Sequence, residues 1–487
     1  MDSRSDRLHI VFFPHMSHGH LIPTMDLART FSKHVGVKAT IVTTALNAAL
    51  FSETIERDQK LGLDISIRTL RFPGREAGLP EGCESLNSVT SMEMGLNYYK
   101  AIRMLREPLA EILQEFRPSC LVADTMFPWA TEVASRFGIP RLIFHGTSLF
   151  AMCAFFSVRL HEPHREVGSD HELFILPGLP DEIKMTRMQL PSYVRERIDN
   201  DLTRMIDESV EADGASFGVV VNSFRELEPA YSEHYMKVLG RRVWHVGPVS
   251  LCNRSIQDKE QRGNGNKSSV EGQECLEWLE SKKPDSVIFL SFGSMFEFSG
   301  QQLLEIVMGL EASGQQFILA IRNKGNTDGD DVLPKGIEKS VKEKGKGLIV
   351  RGWAPQVLIL EHEAVGGFVT HCGWNSTLEA ITAGVPMLTW PLYAEQFYNE
   401  KLVTDVLRVG VGLGAQECER WSSERKFLVG RKEIEGAVLR FMVGEEAVEI
   451  RRRAKALGEA ARRAVERGGS SYCDAEALLA ELRSKLP

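Results

Sequence analysis

The chain has 487 residues, of which 43% are apolar and 25% are charged, and its formal net charge is −8. This length predicts at least two domains, and the composition is typical of a soluble globular enzyme. The net negative charge disfavours a nucleic-acid partner and a broad basic surface for membrane binding.

The amino-terminal sequence MDSRSDRLHIVFF lacks the long apolar region of a signal peptide. The longest apolar stretch, Leu149–Val158, is too short to span a bilayer. The eight cysteines are scattered, and no two of them have CxxC spacing. We therefore expect a cytoplasmic protein with mostly buried thiols and no metal site.

The first half of the chain alternates predicted strands and helices. It opens with the apolar run Leu8–Pro14, a short loop, and a helix that starts at His20. Further strands are predicted at Ala39–Thr43, Ile65–Leu70, Ser119–Ala123, Arg141–Phe144, Val219–Val221 and near Val243–Val246, with helices around Val89–Phe116 and Trp129–Phe137. This alternation predicts a doubly wound, mostly parallel sheet. The first turn, PHMSHGH, has no GxGxxG, which disfavours an NAD-dependent oxidoreductase.

Two residues of this half stand at the positions where open α/β sheets bind ligands. His20 and Asp124 each follow the carboxyl end of a predicted strand, so both side chains can share one cleft. A histidine at a helix N-terminus is neutral near pH 7 and can act as a base, and a carboxylate on its other nitrogen stabilises the imidazolium. The alternatives are that Asp124 only caps the next helix, or that the nearby His18 is the base.

The polar segment Cys252–Glu274 has no periodicity and predicts a flexible linker. A second alternation follows it, with strands at Ser286–Phe292, Gln316–Ile321, Leu348–Arg351, Gly366–Thr370 and Val385–Trp390, a helix at Gln301–Glu311, and carboxy-terminal helices about Arg431–Arg467 and Cys473–Lys485. The predicted organisation is therefore a first domain at residues 1–252, a linker at 253–274, a second domain at 275–465 and a final helix within 466–487.

Three further patterns carry little weight. Asp328–Asp330 has the DxD spacing of a metal site but lies in a polar run that is typical of a solvated loop. Gly410–Gly414 reads GVGLG, but no helix start follows it, which disfavours a dinucleotide site. Gly146–Ser148 lacks the closing glycine of a nucleophile elbow, which disfavours a serine hydrolase.

The most informative stretch is Trp353–Gln396. Its centre is the predicted strand Gly366–Thr370, the turn His371–Trp374 and a helix that opens near Asn375. Ser376 and a glutamate three residues later have the spacing of a capping box. The free N–H groups and the positive end of the helix dipole at such a junction favour a diphosphate, to which His371 adds a donor.

The flanks of this stretch suit the rest of a nucleotide-sugar. The Trp353 indole can lie flat on a base, and Gln356 offers donor and acceptor atoms to a base edge or a ribose. Glu379 can accept hydrogen bonds from ribose hydroxyls, and Glu395–Gln396 suits several adjacent sugar hydroxyls. The alternative is that the tryptophan is a core residue and that the helix-start side chains only cap the helix.

Trp353–Gln396 resembles the plant secondary product glycosyltransferase box, the signature of plant UDP-dependent glycosyltransferases. The match includes the opening WAPQ, the HCGWNS centre, the glutamate after it and the closing Glu-Gln. Four further segments also resemble motifs of this family: GHLIP at Gly19–Pro23, DTMFPW at Asp124–Trp129, HGTSLF at His145–Phe150 and SFGS at Ser291–Ser294. The resemblance implies an α/β fold with two Rossmann-like parallel-sheet domains facing across a cleft (GT-B type), with the final helix returning to the amino-terminal domain.

The resemblance also implies roles for single residues. His20 would be the catalytic base and Asp124 its partner. The implied donor-binding residues are Ser294, Trp353, Ala354, Gln356, His371, Gly373, Trp374, Asn375, Ser376, Glu379, Glu395 and Gln396. Of these, Trp353 stacks on uracil, Gln356 and Glu379 hold the ribose, His371, Asn375 and Ser376 contact the diphosphate, and Trp374, Glu395 and Gln396 bind the sugar. Residues near an apolar acceptor pocket are expected at Met16, Phe127, His145 and Phe150, with core packing as the alternative.

The implied reaction is a direct displacement that transfers a sugar from a UDP-sugar to a hydroxyl of a flavonoid, triterpenoid or other phenolic, giving a β-glycoside. A closing glutamine such as Gln396 is typical of glucose users, although Glu395 stands where many members have aspartate. Neither a metal nor another cofactor is expected, and the chain is expected to act as a monomer. A non-catalytic sugar-nucleotide binder and the use of another UDP-sugar are the alternatives.

Overall fold

The computed structural model describes residues 7–196, 198–263, 270–321, 333, 336–419 and 428–486. The chain divides into two compact units. Unit 1 contains Met1–Leu149, Arg197–Lys267 and Arg463–Pro487, and unit 2 contains Phe150–Glu196 and Ser268–Arg462. Residues 150–196 thus group with unit 2, although they precede the segment predicted as a linker. The Asp328–Asp330 pattern lies outside the described residues.

The described strands form two large sheets and one hairpin. The strands are β1 (Leu8–Phe13), β2 (Val37–Thr44), β3 (Ile65–Leu70), β4 (Cys120–Asp124), β5 (Arg141–His145), β6 (Leu173–Ile175), β7 (Lys184–Thr186), β8 (Gly218–Val221), β9 (Val243–His245), β10 (Val287–Ser291), β11 (Gln316–Ile321), β12 (Gly347–Arg351), β13 (Val365–Thr370), β14 (Met387–Thr389) and β15 (Gly410–Gly412). Unit 1 has the strand order β3-β2-β1-β4-β5-β8-β9, and unit 2 has the order β12-β11-β10-β13-β14-β15. All pairs in these two sheets are parallel, whereas β6 and β7 are antiparallel.

Helices connect the strands and follow them to the carboxy-terminal end. They are α1 (His18–Ser32), α2 (Ala45–Ala48), α3 (Ser52–Lys60), α4 (Gly74–Ala77), α5 (Met92–Met104), α6 (Arg106–Phe116), α7 (Ala130–Ser135), α8 (Leu149–His161), α9 (Ser192–Arg195), α10 (Asp201–Ala215), α11 (Pro229–Lys237), α12 (Ile256–Gln261), α13 (Val270–Glu280), α14 (Gly300–Ser313), α15 (Ile337–Glu343), α16 (Gln356–Glu361), α17 (Trp374–Ala383), α18 (Gln396–Lys401), α19 (Arg431–Val443), α20 (Ala447–Ala464) and α21 (Ser470–Arg483). A π-helical turn, Leu402–Val406, extends α18.

The predicted α/β class with two parallel sheets is confirmed, and the predicted strands agree with the observed ones to within two residues at either end. Apolar runs identify these strands because both faces of a parallel sheet are covered by helices. The hairpin β6–β7 and the edge strand β15 are not predicted. The single helix expected over Val89–Phe116 is two helices that meet at Leu105.

The segment Cys252–Glu274, predicted as a linker, is not irregular where the structure describes it, because it contains α12 and the start of α13. Ser255 caps α12 by accepting a hydrogen bond from the backbone N–H of Asp258. The Asp258 carboxylate in turn accepts from Arg57 of α3 at 2.8 Å. The polar residues that suggested a solvated linker therefore include a helix cap and a partner of an ion pair.

Each large sheet reverses its strand order at one position, between β1 and β4 in unit 1 and between β10 and β13 in unit 2. Ligands of open α/β sheets bind at the carboxyl ends of the strands beside such a switch point. In unit 1 this position is flanked by His20 on α1 and by Asp124, the last residue of β4. In unit 2 it is flanked by Gly293 after β10 and by His371 after β13.

The final helix, α21, belongs to unit 1 and packs on the edge strand β9. Its Ser471 hydroxyl donates to the Gly247 carbonyl at 2.6 Å, and its Asp474 carboxylate accepts from the His245 backbone N–H at 3.1 Å. Among the helices that the structure describes, none has the length and apolar character needed to cross a membrane.

Candidate active site

The switch point of unit 1 holds a histidine–aspartate pair. The Nδ1 atom of His20 lies 2.7 Å from Oδ2 of Asp124. The Asp124 side chain is fully buried, whereas the His20 side chain is 30% exposed. Because the ring is anchored at Nδ1 on a buried carboxylate, the imidazole has a fixed orientation. The sequence prediction that these two distant residues meet is thus matched by the geometry of unit 1.

The Asp124 carboxylate is held in its ionised form. Its other oxygen, Oδ1, accepts a hydrogen bond from the Met126 backbone N–H at 2.9 Å. Burial by itself acts to raise the pKa of Asp124, but the charge and hydrogen bond of His20, with a smaller contribution from His15, hold the pKa below its ordinary value. An ionised carboxylate at this position can stabilise a positive charge on the imidazole.

The backbone of Gly146, just after β5, lies against the His20 ring. A Cβ atom on Gly146 would lie 3.3 Å from both Cε1 and Nδ1 of that ring, which is a tight contact. The absence of a side chain at Gly146 therefore allows the imidazole to sit close to the backbone. This contact is not predicted from the sequence, where Gly146 appears in a rejected nucleophile-elbow pattern and within the family-like segment His145–Phe150.

His18, the alternative base, starts α1, and its backbone N–H donates to the Asn87 side chain at 2.9 Å. The contact between Asp124 Oδ2 and His20 Nδ1 favours His20 as the base.

The four predicted acceptor residues are all buried. The Met16 carbonyl accepts from the Tyr98 hydroxyl at 2.9 Å, and Phe127 stacks on Phe13 with ring centroids 4.3 Å apart. His145 Nε2 lies 3.3 Å from the Asp213 carboxylate. Phe150, near the start of α8, belongs to unit 2, whereas the other three belong to unit 1.

His371 in unit 2 has a different environment from His20. It is buried, and its Nε2 atom would lie 2.6 Å from a Cβ atom on Gly293 and 2.4 Å from one on Gly373. Two glycines, one after each strand of the switch point, thus enclose the imidazole. Burial lowers the pKa of His371 to about 4, against a smaller opposing effect of the Ser291 backbone. The ring is therefore a neutral hydrogen-bonding group at physiological pH.

The backbone turn between β13 and α17 is fixed by its neighbours. Cys372 has a φ of +63°, a left-handed conformation that is uncommon for a residue with a side chain. Its carbonyl accepts from Asn399 Nδ2 at 2.9 Å, and its N–H donates to the Thr370 hydroxyl at 3.2 Å. Asn399 on α18 is a supporting residue that the sequence analysis does not identify, although it lies just beyond the recognised segment.

The predicted capping box at Ser376 and Glu379 is wrong. Helix α17 begins at Trp374 with Gly373 at the N-cap, and no side chain caps it. Ser376 and Glu379 instead share one partner, because Gln356 Nε2 lies 3.0 Å from Ser376 Oγ and 2.7 Å from Glu379 Oε2. The N-cap lies three residues earlier than the pattern suggested, so both side chains lie within the first turns of the helix and bind Gln356 of α16.

Gln396, the first residue of α18, is oriented by the backbone. Its Oε1 atom accepts hydrogen bonds from the N–H groups of Leu392 at 2.9 Å and Tyr393 at 3.0 Å. Only the carbonyl oxygen of an amide can meet two N–H donors, so the NH₂ group is the part of Gln396 that remains for a ligand.

The other predicted donor residues lie at the same ends of the unit 2 strands. Trp374 is buried on α17, and Asn375 and Gly373 beside it are partly exposed. Ser294 follows β10, Trp353 and Ala354 precede α16, and Glu395 is the N-cap of α18. Among the described residues, no group of three or more His, Cys, Asp or Glu side chains has the arrangement of a metal site.

Comparisons with known proteins agree with this architecture. The sequence profile of the family described as UDP-glucoronosyl and UDP-glucosyl transferase matches residues 104–417. The chain is similar to scopoletin glucosyltransferase of Nicotiana tabacum, with 53% identity over 476 residues that cover 98% of each chain. It is also 53% identical to UDP-glucose flavonoid 3-O-glucosyltransferase 7 of Fragaria ananassa, over 99% of this chain and 98% of the relative.

Among solved structures, the chain is similar to Glycyrrhiza uralensis UGT73P12 complexed with glycyrrhetinic acid 3-O-monoglucuronide. The TM-score is 0.91 and the sequence identity is 42%, covering 98% of this chain and 96% of that chain. The likeness therefore extends over both units.

Proposed function

Because the chain belongs to the UDP-glucoronosyl and UDP-glucosyl transferase family, we propose that it transfers glucose from UDP-glucose to a hydroxyl of a plant phenolic or triterpenoid. The names of its full-length relatives support glucose and small secondary metabolites, since those proteins act on scopoletin and on a flavonoid. The observation that carries the proposal is the 2.7 Å contact between His20 Nδ1 and Asp124 Oδ2.

The proposed chemistry begins with the acceptor hydroxyl. An Nδ1–H group that donates to Asp124 leaves Nε2 of His20 unprotonated and able to accept the hydroxyl proton. As this proton moves to Nε2, the acceptor oxygen forms a bond to the anomeric carbon and the bond from that carbon to the diphosphate breaks. A single displacement of this kind inverts the anomeric centre, so α-linked UDP-glucose gives a β-glucoside. Asp124 stabilises the imidazolium that results.

Unit 2 is proposed to hold the donor. The N-terminus of α17 is proposed to supply hydrogen-bond donors for the diphosphate, which gains negative charge as it leaves, and the neutral imidazole of His371 is proposed to lie in contact with it. Gln356 and Glu379 are proposed to bind the ribose, Trp353 the uracil, and Gln396 the glucose through its NH₂ group. These protein donors support a reaction that needs no metal ion.

Two further properties are proposed. The first is that the enzyme acts as a monomer. None of the eight cysteines, all of which lie in the described part of the chain, forms a disulfide, and this supports a reducing compartment such as the cytoplasm.

The test is product formation from UDP-glucose, UDP-galactose and UDP-xylose against a panel of coumarins, flavonoids and triterpenoids, with EDTA present. We expect transfer mainly from UDP-glucose, no loss of rate with EDTA, and a β-linkage by proton NMR of the purified product. An α-linked product would contradict the single displacement. Tight UDP binding without transfer from any donor would favour a non-catalytic binder, and preference for another donor would overturn the glucose assignment.

A further inference from the structure

Arg141, the first residue of β5, lies behind the catalytic pair of unit 1. Its side chain is buried, with a relative exposure of 3%. The guanidinium donates from Nη2 to the Asp124 carbonyl at 3.0 Å and from Nη1 to the Pro128 carbonyl at 3.3 Å. Nη1 also donates to the Thr131 hydroxyl at 2.5 Å. These three acceptors belong to the last residue of β4, to the short connection after it and to the second residue of α7, so one side chain holds the strand end, the connection and the helix start together.

The charge of Arg141 makes this arrangement unusual. In the described residues no carboxylate forms an ion pair with Arg141, and its Nε atom is buried without a hydrogen bond. Burial lowers the pKa of Arg141 to about 10, while the nearby charges of Asp124 and Asp213 act to raise it, and the group therefore remains protonated at neutral pH. A buried charge held mainly by neutral acceptors is costly for stability, which points to a role beyond packing.

Arg29, an equally buried arginine of unit 1, has the arrangement that is usual for a buried charge, an ion pair with a carboxylate. Its exposure is also 3%, and its guanidinium bonds both oxygens of Asp58, at 2.5 and 3.1 Å. Arg29 is therefore paired with a carboxylate, whereas Arg141 is bonded to the backbone and hydroxyl of the segment that carries Asp124. The two residues form a natural pair of test position and control.

We propose that Arg141 is the positioning residue of the catalytic carboxylate, which fixes the main chain at Asp124 and thereby the position of its carboxylate against His20. The inference depends on the proposed role of the His20–Asp124 pair. The carboxylate is held from two sides, by the Met126 N–H on Oδ1 and by His20 on Oδ2, and Arg141 holds the carbonyl of the same residue. Loss of the guanidinium would release the residue that orients the imidazole.

The positive charge of Arg141 also affects the protonation of the pair. The ionisable groups that interact electrostatically with Asp124 are His15 in the loop after β1, His20 on α1, Tyr98 on α5 and Arg141 on β5, and Asp213 on α10 acts on Arg141 in turn. Removing a cation from this set makes protonation of the His20–Asp124 pair easier. The acid limb of the activity profile then moves to higher pH, because the base must be neutral to act.

The experiment compares Arg141→Lys and Arg141→Met with Arg29→Lys, using kcat, the KM for UDP-glucose and the pH profile of kcat/KM. For Arg141→Lys we expect kcat to fall about 10- to 100-fold with the KM for UDP-glucose unchanged, because a small displacement of a catalytic group has an effect of this order. Arg141→Met should show a similar loss of kcat and, in addition, an acid limb at higher pH. Arg29→Lys should lower thermal stability and leave kcat and the acid limb unchanged.

A double variant that combines Arg141→Lys with Asp124→Asn separates an effect of Arg141 through Asp124 from an independent effect. If Arg141 acts through Asp124, Arg141→Lys has little further effect in Asp124→Asn, whereas full additivity would overturn the proposal. Wild-type kcat in Arg141→Lys with an inactive Asp124→Asn would reject only the role of Arg141. Wild-type activity in Asp124→Asn would reject the proposed base pair itself.

Thr131→Val is the alternative variant if Arg141→Met does not fold, because it removes one acceptor of the guanidinium. It should lower kcat by a smaller factor without a change in the KM for UDP-glucose. An unchanged kcat in Thr131→Val would count against the proposal.

Discussion

Two histidines, His20 and His371, lie at the switch points of the two parallel sheets, and their surroundings differ in almost every respect. His20 in unit 1 is partly exposed and lies 2.7 Å from a buried carboxylate. His371 in unit 2 is buried, is enclosed by two glycine backbones and has no carboxylate partner in the described residues. The same topological position therefore carries a histidine suited to proton transfer in one unit and a histidine suited to neutral binding in the other.

The difference shows how the environment rather than the fold decides what a histidine can do. A carboxylate at Nδ1 fixes the tautomer and stabilises the protonated ring, which a general base requires. Burial without a carboxylate lowers the pKa of His371 to about 4, so that this ring stays neutral while it donates one hydrogen bond. We assign catalysis to unit 1 and donor binding to unit 2 on this contrast.

The largest expected effect comes from removing the carboxylate that distinguishes the two histidines. Asp124→Asn keeps the shape of the side chain but removes the charge that stabilises the His20 imidazolium. We expect kcat to fall by about 10²- to 10⁴-fold with UDP affinity unchanged. Steady-state kinetics together with calorimetric titration of UDP measure both quantities. Turnover within a few-fold of the wild type would remove the distinction between the two sites.

The pH dependence of stability tests the burial of His371. Its folded-state pKa of about 4 lies below the ordinary value of 6.5, so the unfolded chain binds more protons between these pH values. Stability is therefore lost as the pH falls through this window, by about 2 kcal/mol from His371 between about pH 7.5 and about pH 5. Urea unfolding of the wild type and of His371→Gln measures this difference, because other titrating groups are common to both proteins. Equal pH dependence in the two proteins would mean that His371 is not buried as described.

The glycine enclosure of His371 gives the next effect. Gly293 has a φ of +73°, and its Cβ atom in Gly293→Ala would lie 2.6 Å from His371 Nε2. We expect UDP affinity to fall by about tenfold, since a displaced ring and a strained backbone each have an effect of order 1 kcal/mol. Gly314→Ala is the matched control, because Gly314 has a φ of +71° but no atom near the added Cβ. If both variants bind UDP equally well, contact with His371 is irrelevant to donor binding.

The smallest expected effect concerns the glycine beside His20. In Gly146→Ala the Cβ atom would lie 3.3 Å from two atoms of the imidazole, so the ring must shift by a few tenths of an ångström. We expect kcat to fall by a few-fold to about tenfold, with UDP affinity unchanged. Gly95→Ala on α5, where the nearest atom is 3.9 Å away, is the control. A larger effect on UDP affinity than on kcat would place Gly146 on the donor side.

The two sites also differ in how far the sequence predicts them. The donor segment is nearly continuous, so local patterns at residues 353–396 identify its strand, turn and helix. The pairing of His20 with Asp124 requires the strand order, and it follows from the sequence through the rule that ligands bind at strand ends. The parallel sheets were predictable for the same reason, because continuous apolar runs mark strands that are covered on both faces.

The remaining features depend on contacts between distant residues, which no local pattern contains. A glycine is required at position 293 because His371, 78 residues later in a different loop, lies against it. Arg141 has its proposed role only because its side chain reaches the end of the neighbouring strand β4. The capping box failed because Ser376 and Glu379 bind Gln356 of another helix instead of their own backbone. Composition likewise could not show that the polar residues around Ser255 form a capped helix.

The measurement that tests this division of roles most directly is a paired determination of kcat and UDP dissociation constant for His20→Ala and His371→Ala. We predict that His20→Ala loses about 10²- to 10⁴-fold in kcat and binds UDP as the wild type does, whereas His371→Ala binds UDP more weakly. Near-normal turnover of His20→Ala, or unchanged UDP binding by His371→Ala, would contradict the assignment of catalysis to unit 1 and donor binding to unit 2.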